Sequence, residues 1–254
     1  MNPAARALRA IAQTLLAALL LSLAWLFFVW PPPSWWRSHW PAETAFMRMR
    51  AGQAAFDTIP RRYAPLPLDS ISDWVERLVL IGEDDAFYQH GGIDYRQLRD
   101  ALGYRRASFS WSDPRDRAEL WRVLLKVRES DDGMRGASTI TQQLAKNLYL
   151  SPSRNPLRKV KEAAIAWRLE QALEKDRILE LYLAVAELGP NTWGVEAAAQ
   201  RYFRRSAARL SQEQAALLAA TLPHPLSSNP GHRPGRTQYR ANLLLERLQM
   251  SNVQ

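Results

Sequence analysis

An all-α fold behind one N-terminal membrane-spanning helix is what this 254-residue sequence predicts. Three observations lead there. The stretch from Ala10 to Trp30 is almost wholly apolar, broken only by Gln13, Thr14 and Ser22. Helix-start signals recur along the rest of the chain, and the alternation that marks half-buried strands is scarce.

The apolar stretch sets the organisation. At ~1.5 Å per residue it reaches roughly 31 Å, about one hydrocarbon core. Arg6 and Arg9 precede it, which keeps the N-terminus cytoplasmic and exports the rest. Trp25, Trp30, Trp35, Trp36 and Trp40 gather at the far end, where an aromatic interfacial belt would lie. A cleaved signal peptide is the competing reading. Its apolar region would be shorter, however, and Trp30-Pro31-Pro32-Pro33 offers no small-residue cleavage site. The expected division is a cytoplasmic tail over 1–9, the anchor over 10–30, a membrane-proximal linker and interfacial segment over 31–68, and a single domain over 69–254. Within the linker, Trp35 to Phe56 alternates aromatic, Met and Arg positions as an amphipathic surface helix would. Pro60, Pro65 and Pro67 then predict an extended stretch.

Helix starts are predicted by capping-box spacing at Asp73 with Glu76, Asp94 with Gln97, Asp116 with Glu119, and Ser211 with Gln214. Asn155-Pro156 opens a long helix towards Leu183, with a break or kink near Asp176. Gly189 and Gly194 end it and space it from a helix over about Val195–Phe203. Pro223, Pro225 and Pro230 terminate the helix begun at Ser211, and a last helix covers Arg236 to Leu248.

Composition narrows the chemistry. An apolar fraction of 47% suits a globular core. A formal charge of +9 and a pI near 10.1 point to an acidic partner, whether nucleic acid, anionic lipid or a phosphorylated substrate. The absence of cysteine excludes disulfides, thiolate metal sites and cysteine nucleophiles.

Two polar segments carry most of the functional signal. In the first, Leu78-Val79-Leu80-Ile81-Gly82 runs directly into Glu83-Asp84. A carboxylate that follows a buried run is partly withdrawn from water, which raises its pKa and makes it a better base. Taken alone, the pair reads first as a solvated acidic helix end, because exposed carboxylates are common. In the second, Ile140, Leu144 and Leu148 form an apolar helical stripe, while Thr139, Gln142, Gln143 and Lys146 fall opposite. Amides beside a lysine suit a polyoxygen ligand such as sugar and phosphate, although an ordinary solvated face has the same pattern. Downstream, Ser153 to Glu162 is strongly basic and holds a helix N-terminus, which itself favours anions. Arg158 and Glu162 lie one turn apart there.

In order along the chain, these segments resemble the signature motifs of the peptidoglycan glycosyltransferase family, in its monofunctional membrane-bound branch. The first is Glu83, Asp84, Phe87, His90, Gly92 and Asp94. The second is Gly136-Ala137-Ser138-Thr139-Ile140-Thr141-Gln142-Gln143-Leu144-Ala145-Lys146-Asn147. The third is Arg158-Lys159-Val160-Lys161-Glu162, the fourth runs from Lys175 to Leu183, and the fifth from Gly194 to Phe203. Two departures stand out. Ala184 replaces the family's usual asparagine, and the stretch from Leu102 to Arg135 is longer than usual.

The resemblance implies a lysozyme-like helical fold and a lipid-linked disaccharide, lipid II, as substrate, joined to a growing glycan strand at the bilayer. It implies Glu83 as catalytic base and Glu162 as a second carboxylate that orients substrate or holds a metal. Lys146 and Arg154 would contact the diphosphate. Asp84, Thr139, Gln143 and Arg158 would support the substrate wall by hydrogen bonds, and Phe87, His90, Ser138, Gln142 and Asn147 belong to the same wall. A divalent cation, Mg²⁺ or Mn²⁺, would bridge diphosphate oxygens, held mostly by substrate and not by a protein cage. Cell-division or wall-synthesis proteins are the implied partners, and nucleic acid is not. The rivals are a lytic transglycosylase or lysozyme-like hydrolase, which needs no diphosphate clamp, and a non-catalytic scaffold, against which the intact Glu83 counts. An acylating serine domain is not expected, since Ser-x-x-Lys and Lys-Thr-Gly are missing.

Overall fold

The computed structural model describes residues 3–56, 58–103, 110, 112–129, 138–150 and 156–251. It opens with α1 (Pro3–Phe27), whose Arg6–Phe27 portion is long and apolar enough to cross a membrane and has its large side chains exposed. The helix thus starts and stops earlier than the predicted span. Pro31 to Pro33 cannot continue it, and a short 3₁₀ turn, Pro33–Arg37, follows.

The segment expected to be one amphipathic helix is three short pieces: that turn, α2 (Ala45–Ala51) and a 3₁₀ turn at Ala54–Phe56. Pro41 interrupts the backbone ladder, and Thr44 starts α2 afresh by accepting the Met47 N–H at 3.1 Å. Two of the tryptophans expected at an interface are also used inside the protein. Trp36 is buried and donates to the Tyr149 hydroxyl at 2.6 Å, and Trp40 lies under Arg177, 4.4 Å from guanidinium carbon to ring centroid.

The remaining helices are α3 (Asp73–Glu83), α4 (Tyr95–Leu102), α5 (Pro114–Glu129), α6 (Ile140–Tyr149), α7 (Pro156–Ala172), α8 (Lys175–Val185), α9 (Val195–Phe203), α10 (Gln212–Ala219) and α11 (Pro234–Ser251). The Ser211–Gln214 capping box forms as its spacing predicts. Asp94 caps α4 through the Arg96 and Gln97 amides, but Gln97 reaches Asp85 instead of closing a box. Ser72, not Asp73, is the cap residue of α3. Asp116 lies inside α5, buried, where it accepts the Ser110 N–H at 2.8 Å. The long helix predicted from Asn155 divides at Leu173–Glu174, slightly before Asp176.

α6 forms the middle of the packing, against α7 on one side and α8 on another, while α3 lies between α10 and α11. The expected stripe is at the core: Ile140 and Leu144 are fully buried and Leu148 nearly so. They meet Val75 and Leu78 of α3, Ile165 and Leu169 of α7, and Ile178 and Leu181 of α8 in one apolar cluster. Each such side chain stabilises the fold by about 1.5–3 kcal/mol.

A small sheet escapes the sequence reading. Its strands are β1 (Arg62–Tyr63), β2 (Glu187–Gly189) and β3 (Thr192–Trp193), in the order β1-β3-β2, with β1 parallel and β2 antiparallel to β3. Such short strands leave no alternation to detect. Gly194, just after β3, has φ +82, and a Cβ there would sit 2.3 Å from the Ala184 carbonyl oxygen. The backbone of the departure residue Ala184 therefore packs directly on this glycine.

Polar contacts mount α1 and the segment after it on the rest of the chain. Tyr149, bonded by Trp36, itself donates to the Pro31 carbonyl at 2.9 Å. Arg37 donates to Ala172 O at 2.7 Å, Arg177 donates to the carbonyls of Trp36 and His39, and Arg168 donates to Phe27 O. Replacement of Gly194 by alanine combines left-handed strain with a backbone clash. Gly194→Ala is expected to lower stability by roughly 2–5 kcal/mol in chemical denaturation.

Candidate active site

The two polar segments meet at the end of α3. Glu83 is the last residue of that helix and Asp84 its C-cap, with extended backbone. Asp84 is buried, and its carboxylate takes two donors: His90 Nε2 at 2.9 Å and the backbone N–H of Ile140 at 3.0 Å. Gly92 N–H donates to His90 Nδ1 at 3.2 Å, so that nitrogen is the acceptor and Nε2 carries the proton given to Asp84. The Thr139 hydroxyl returns the connection by donating to Gly92 O at 2.7 Å. The N-terminus of α6 is thus tied to the first segment at two points, with a carboxylate where the helix dipole favours one.

Thr139 is the N-cap of α6 and closes a full capping box with Gln142. The Thr-x-x-Gln spacing was the signal for it, and it explains why both residues are buried in the wall. Phe87 is fully buried and carries Lys175 over its ring at 4.3 Å, and Asn147 is buried on α6. Thr141 donates to Glu170 at 2.6 Å, and Lys175 binds the same oxygen at 2.8 Å.

Glu83 stands apart from this scaffold. Its Oε2 accepts the Gln143 amide at 2.7 Å, and Gln143 Oε1 accepts the Tyr182 hydroxyl at 3.0 Å. Tyr182, which motif reading left without a role, therefore sets which way the amide of Gln143 points. Burial raises the pKa of Glu83, and the Gln143 hydrogen bond and the charge of Lys146 oppose that rise.

Lys146, one turn beyond Gln143, lies within electrostatic reach of Glu83 and Glu162. Burial lowers its pKa, and the attraction of Glu162 counters this. Among the described residues, its ammonium makes no hydrogen bond or ion pair and lies 5.7 Å from the centroid of the Phe46 ring. Glu162 is buried, with Arg158 on one oxygen at 2.8 Å and Lys159 on the other. Lys159 also donates to the Ser138 hydroxyl at 2.6 Å. Arg154 lies outside the described residues. The structure thus gathers Glu83, Gln143, Lys146, Ser138, Arg158, Lys159 and Glu162 at one place, and sets Asp84, Phe87, His90, Thr139, Gln142 and Asn147 in its supporting wall.

A buried carboxylate whose pKa is raised thus shares one place with a group of cations, an arrangement that can serve a base and an anionic leaving group. No group of three or more metal-binding side chains occurs among the described residues, and both oxygens of Glu162 are occupied.

The chain belongs to the transglycosylase family, whose model matches residues 107–249. It is 39% identical over 219 residues to a biosynthetic peptidoglycan transglycosylase of Azoarcus sp. (strain BH72), covering 85% of each chain. To the protein of that name from Bordetella pertussis it is 36% identical over 258 residues, covering 99% of each. To that of Acinetobacter baumannii (strain SDF) it is 34% identical, covering 94% of each.

Removal of the Asp84 carboxylate would leave the buried Ile140 N–H and the half-buried His90 Nε2–H unpaired. Asp84→Ala is expected to cost about 2–5 kcal/mol in urea unfolding and to abolish activity through loss of the scaffold.

Proposed function

We propose that Glu83 and Lys146 act at the two ends of one glycosyl transfer. The protein is a peptidoglycan glycosyltransferase that polymerises lipid II into glycan strands. The growing chain is the donor and lipid II the acceptor. Glu83 takes the proton from the 4-hydroxyl of the acceptor's N-acetylglucosamine as that oxygen attacks the anomeric carbon of the donor's N-acetylmuramic acid. The bond from that carbon to the diphosphate oxygen breaks, undecaprenyl diphosphate leaves, and inversion gives a β-1,4 link. Lys146 takes up the charge that develops on the leaving diphosphate, with Arg154 beside it. Glu162 fixes Arg158 and Lys159 at the edge of the same site. A divalent cation, Mg²⁺ or Mn²⁺, if bound, would be recruited mostly by the substrate, since Glu162 is already engaged by Arg158 and Lys159, and would offset charge on the diphosphate.

The observation that carries this reading is the pairing of Glu83, whose pKa is raised, with a Lys146 ammonium that has no counter-ion partner among the described residues. A glycan hydrolase has no use for such a free cation. The N-terminal helix supports the rest of the reading. With Arg6 and Arg9 on the cytoplasmic side, α1 crosses the bacterial inner membrane once and holds the catalytic domain outside it, beside a substrate whose lipid stays in the bilayer. An apolar groove of about 430 Å³ between α1 and α7, lined by Leu21, Trp25, Leu26, Leu157 and Val160, suits that setting.

General-base help is worth ~10²–10⁴-fold, so Glu83→Gln is expected to slow polymerisation of labelled lipid II by that factor. Wild-type polymer yield from the variant would remove Glu83 from its role, and cleavage of finished glycan without polymerisation would favour the hydrolase. Stability should move the other way. A carboxyl whose folded pKa is raised contributes its full stability only below the unfolded pKa and loses it as pH rises through the folded value. At neutral pH, Glu83→Gln is therefore expected to melt at or above the wild-type temperature.

The pH profile gives a further test. Catalysis by the carboxylate makes the rate rise with pH through the pKa of Glu83, and the Gln143 N–H lowers that pKa. In Gln143→Leu combined with Tyr182→Phe, which avoids an orphaned phenol, the ascending limb is expected to move to higher pH.

A further inference from the structure

Lys146 poses a physical problem. A desolvated ammonium near carboxylates should collapse onto one of them, and a collapsed lysine is no longer available to a diphosphate. Glu83, Glu162 and Glu187 are all within its electrostatic reach. Each is already engaged: Glu83 by Gln143, Glu162 by Arg158 and Lys159, and Glu187 on β2 by both arms of Arg50, at 2.8 and 2.9 Å.

What Lys146 has is the ring of Phe46 on α2, 5.7 Å from ammonium to centroid. Arg50 reaches the same ring at 5.9 Å and the ring of Phe56 at 5.5 Å while it grips Glu187. The ring thus stands on α2, which packs on α6, beside an Arg50–Glu187 ion pair that runs from the same helix to the sheet. A π face attracts a cation without neutralising it and leaves its N–H donors free.

Resting on the reading of Lys146 as diphosphate clamp, we propose that Phe46 is a positioning residue that holds the Lys146 ammonium in place and unneutralised, with Arg50 withholding Glu187 from it. The membrane-proximal helix thereby takes part in the reaction without touching the sugar.

The test is progressive fluorination of Phe46 by unnatural amino-acid incorporation in the full-length chain, assayed with labelled lipid II in detergent beside Lys146→Ala, Phe46→Trp and Phe46→Leu. Fluorine drains the ring face and barely changes its size. The expected result is a stepwise fall in kcat, linear in its logarithm with fluorine number and reaching about 2- to 30-fold, with KM changing less and thermal midpoints constant. Phe46→Trp should keep activity and Phe46→Leu should lose it to the same extent as the most fluorinated variant. A flat series beside an inactive Lys146→Ala would overturn the role of Phe46 and leave the clamp standing. Full activity of Lys146→Ala would overturn both.

Discussion

The carboxylate of Asp84 is the contact on which the site depends. It lies between the end of α3 and the start of α6, and it accepts one hydrogen bond from each side, from His90 and from the Ile140 amide. Because Glu83 precedes it directly in the chain, fixing Asp84 fixes the point from which the Glu83 side chain departs. A buried charge without partners would cost several kcal/mol, whereas this one is satisfied twice and sits at a helix N-terminus. The Thr139 contact to Gly92 keeps the two segments from sliding past each other. Glu83 can then rest on a single side-chain bond, from Gln143, because its backbone is already held.

That rigidity supports groups held in unfavourable states. Burial raises the pKa of Glu83 and lowers that of Lys146, so both charged forms are less stable in the fold than in water. Stability is given up where reactivity is needed, a common trade at active sites. The offset comes from the apolar cluster around Ile140, Leu144, Ile165 and Ile178 beneath them. α6 serves both purposes: its apolar stripe enters the core, and Gln143 and Lys146 emerge from its other side.

Much of this was legible in the sequence, and the gaps share a cause. The stripe of α6, the Ser211 cap and the bounds of α9 follow from local pattern, whereas the pairing of Glu83 with Lys146 came from the order of the family motifs along the chain. Periodicity also placed Thr139 and Gln142 beside Gln143 and Lys146 on one polar face. It could not say which of those polar atoms were already spent. Thr139 and Gln142 are consumed by the cap, whose spacing was there to be read, and Asp84 by residues distant in sequence. The role of Tyr182 and the Arg50–Glu187 pair depend on contacts between remote segments, for which spacing holds no signal. The sheet was missed because its strands are too short for alternation to appear.

The linker from Trp30 onward shows the same limit and changes the meaning of the anchor. Read as a sequence, it is a proline break, an amphipathic surface helix and then an extended stretch punctuated by Pro60, Pro65 and Pro67. In the structure its carbonyls at Pro31, Trp36 and His39 accept hydrogen bonds from Tyr149 and Arg177, and Arg37 and Arg168 bind across the same junction. These partners sit on α6, α7 and α8, and the first two of those helices also carry Lys146 and Glu162. A tether would let the domain sample many heights above a bilayer, whereas hydrogen bonds to the site-bearing helices allow very few. The placement of Glu83 and Lys146 relative to α1, the helix long and apolar enough to cross a membrane, is then a property of the folded protein.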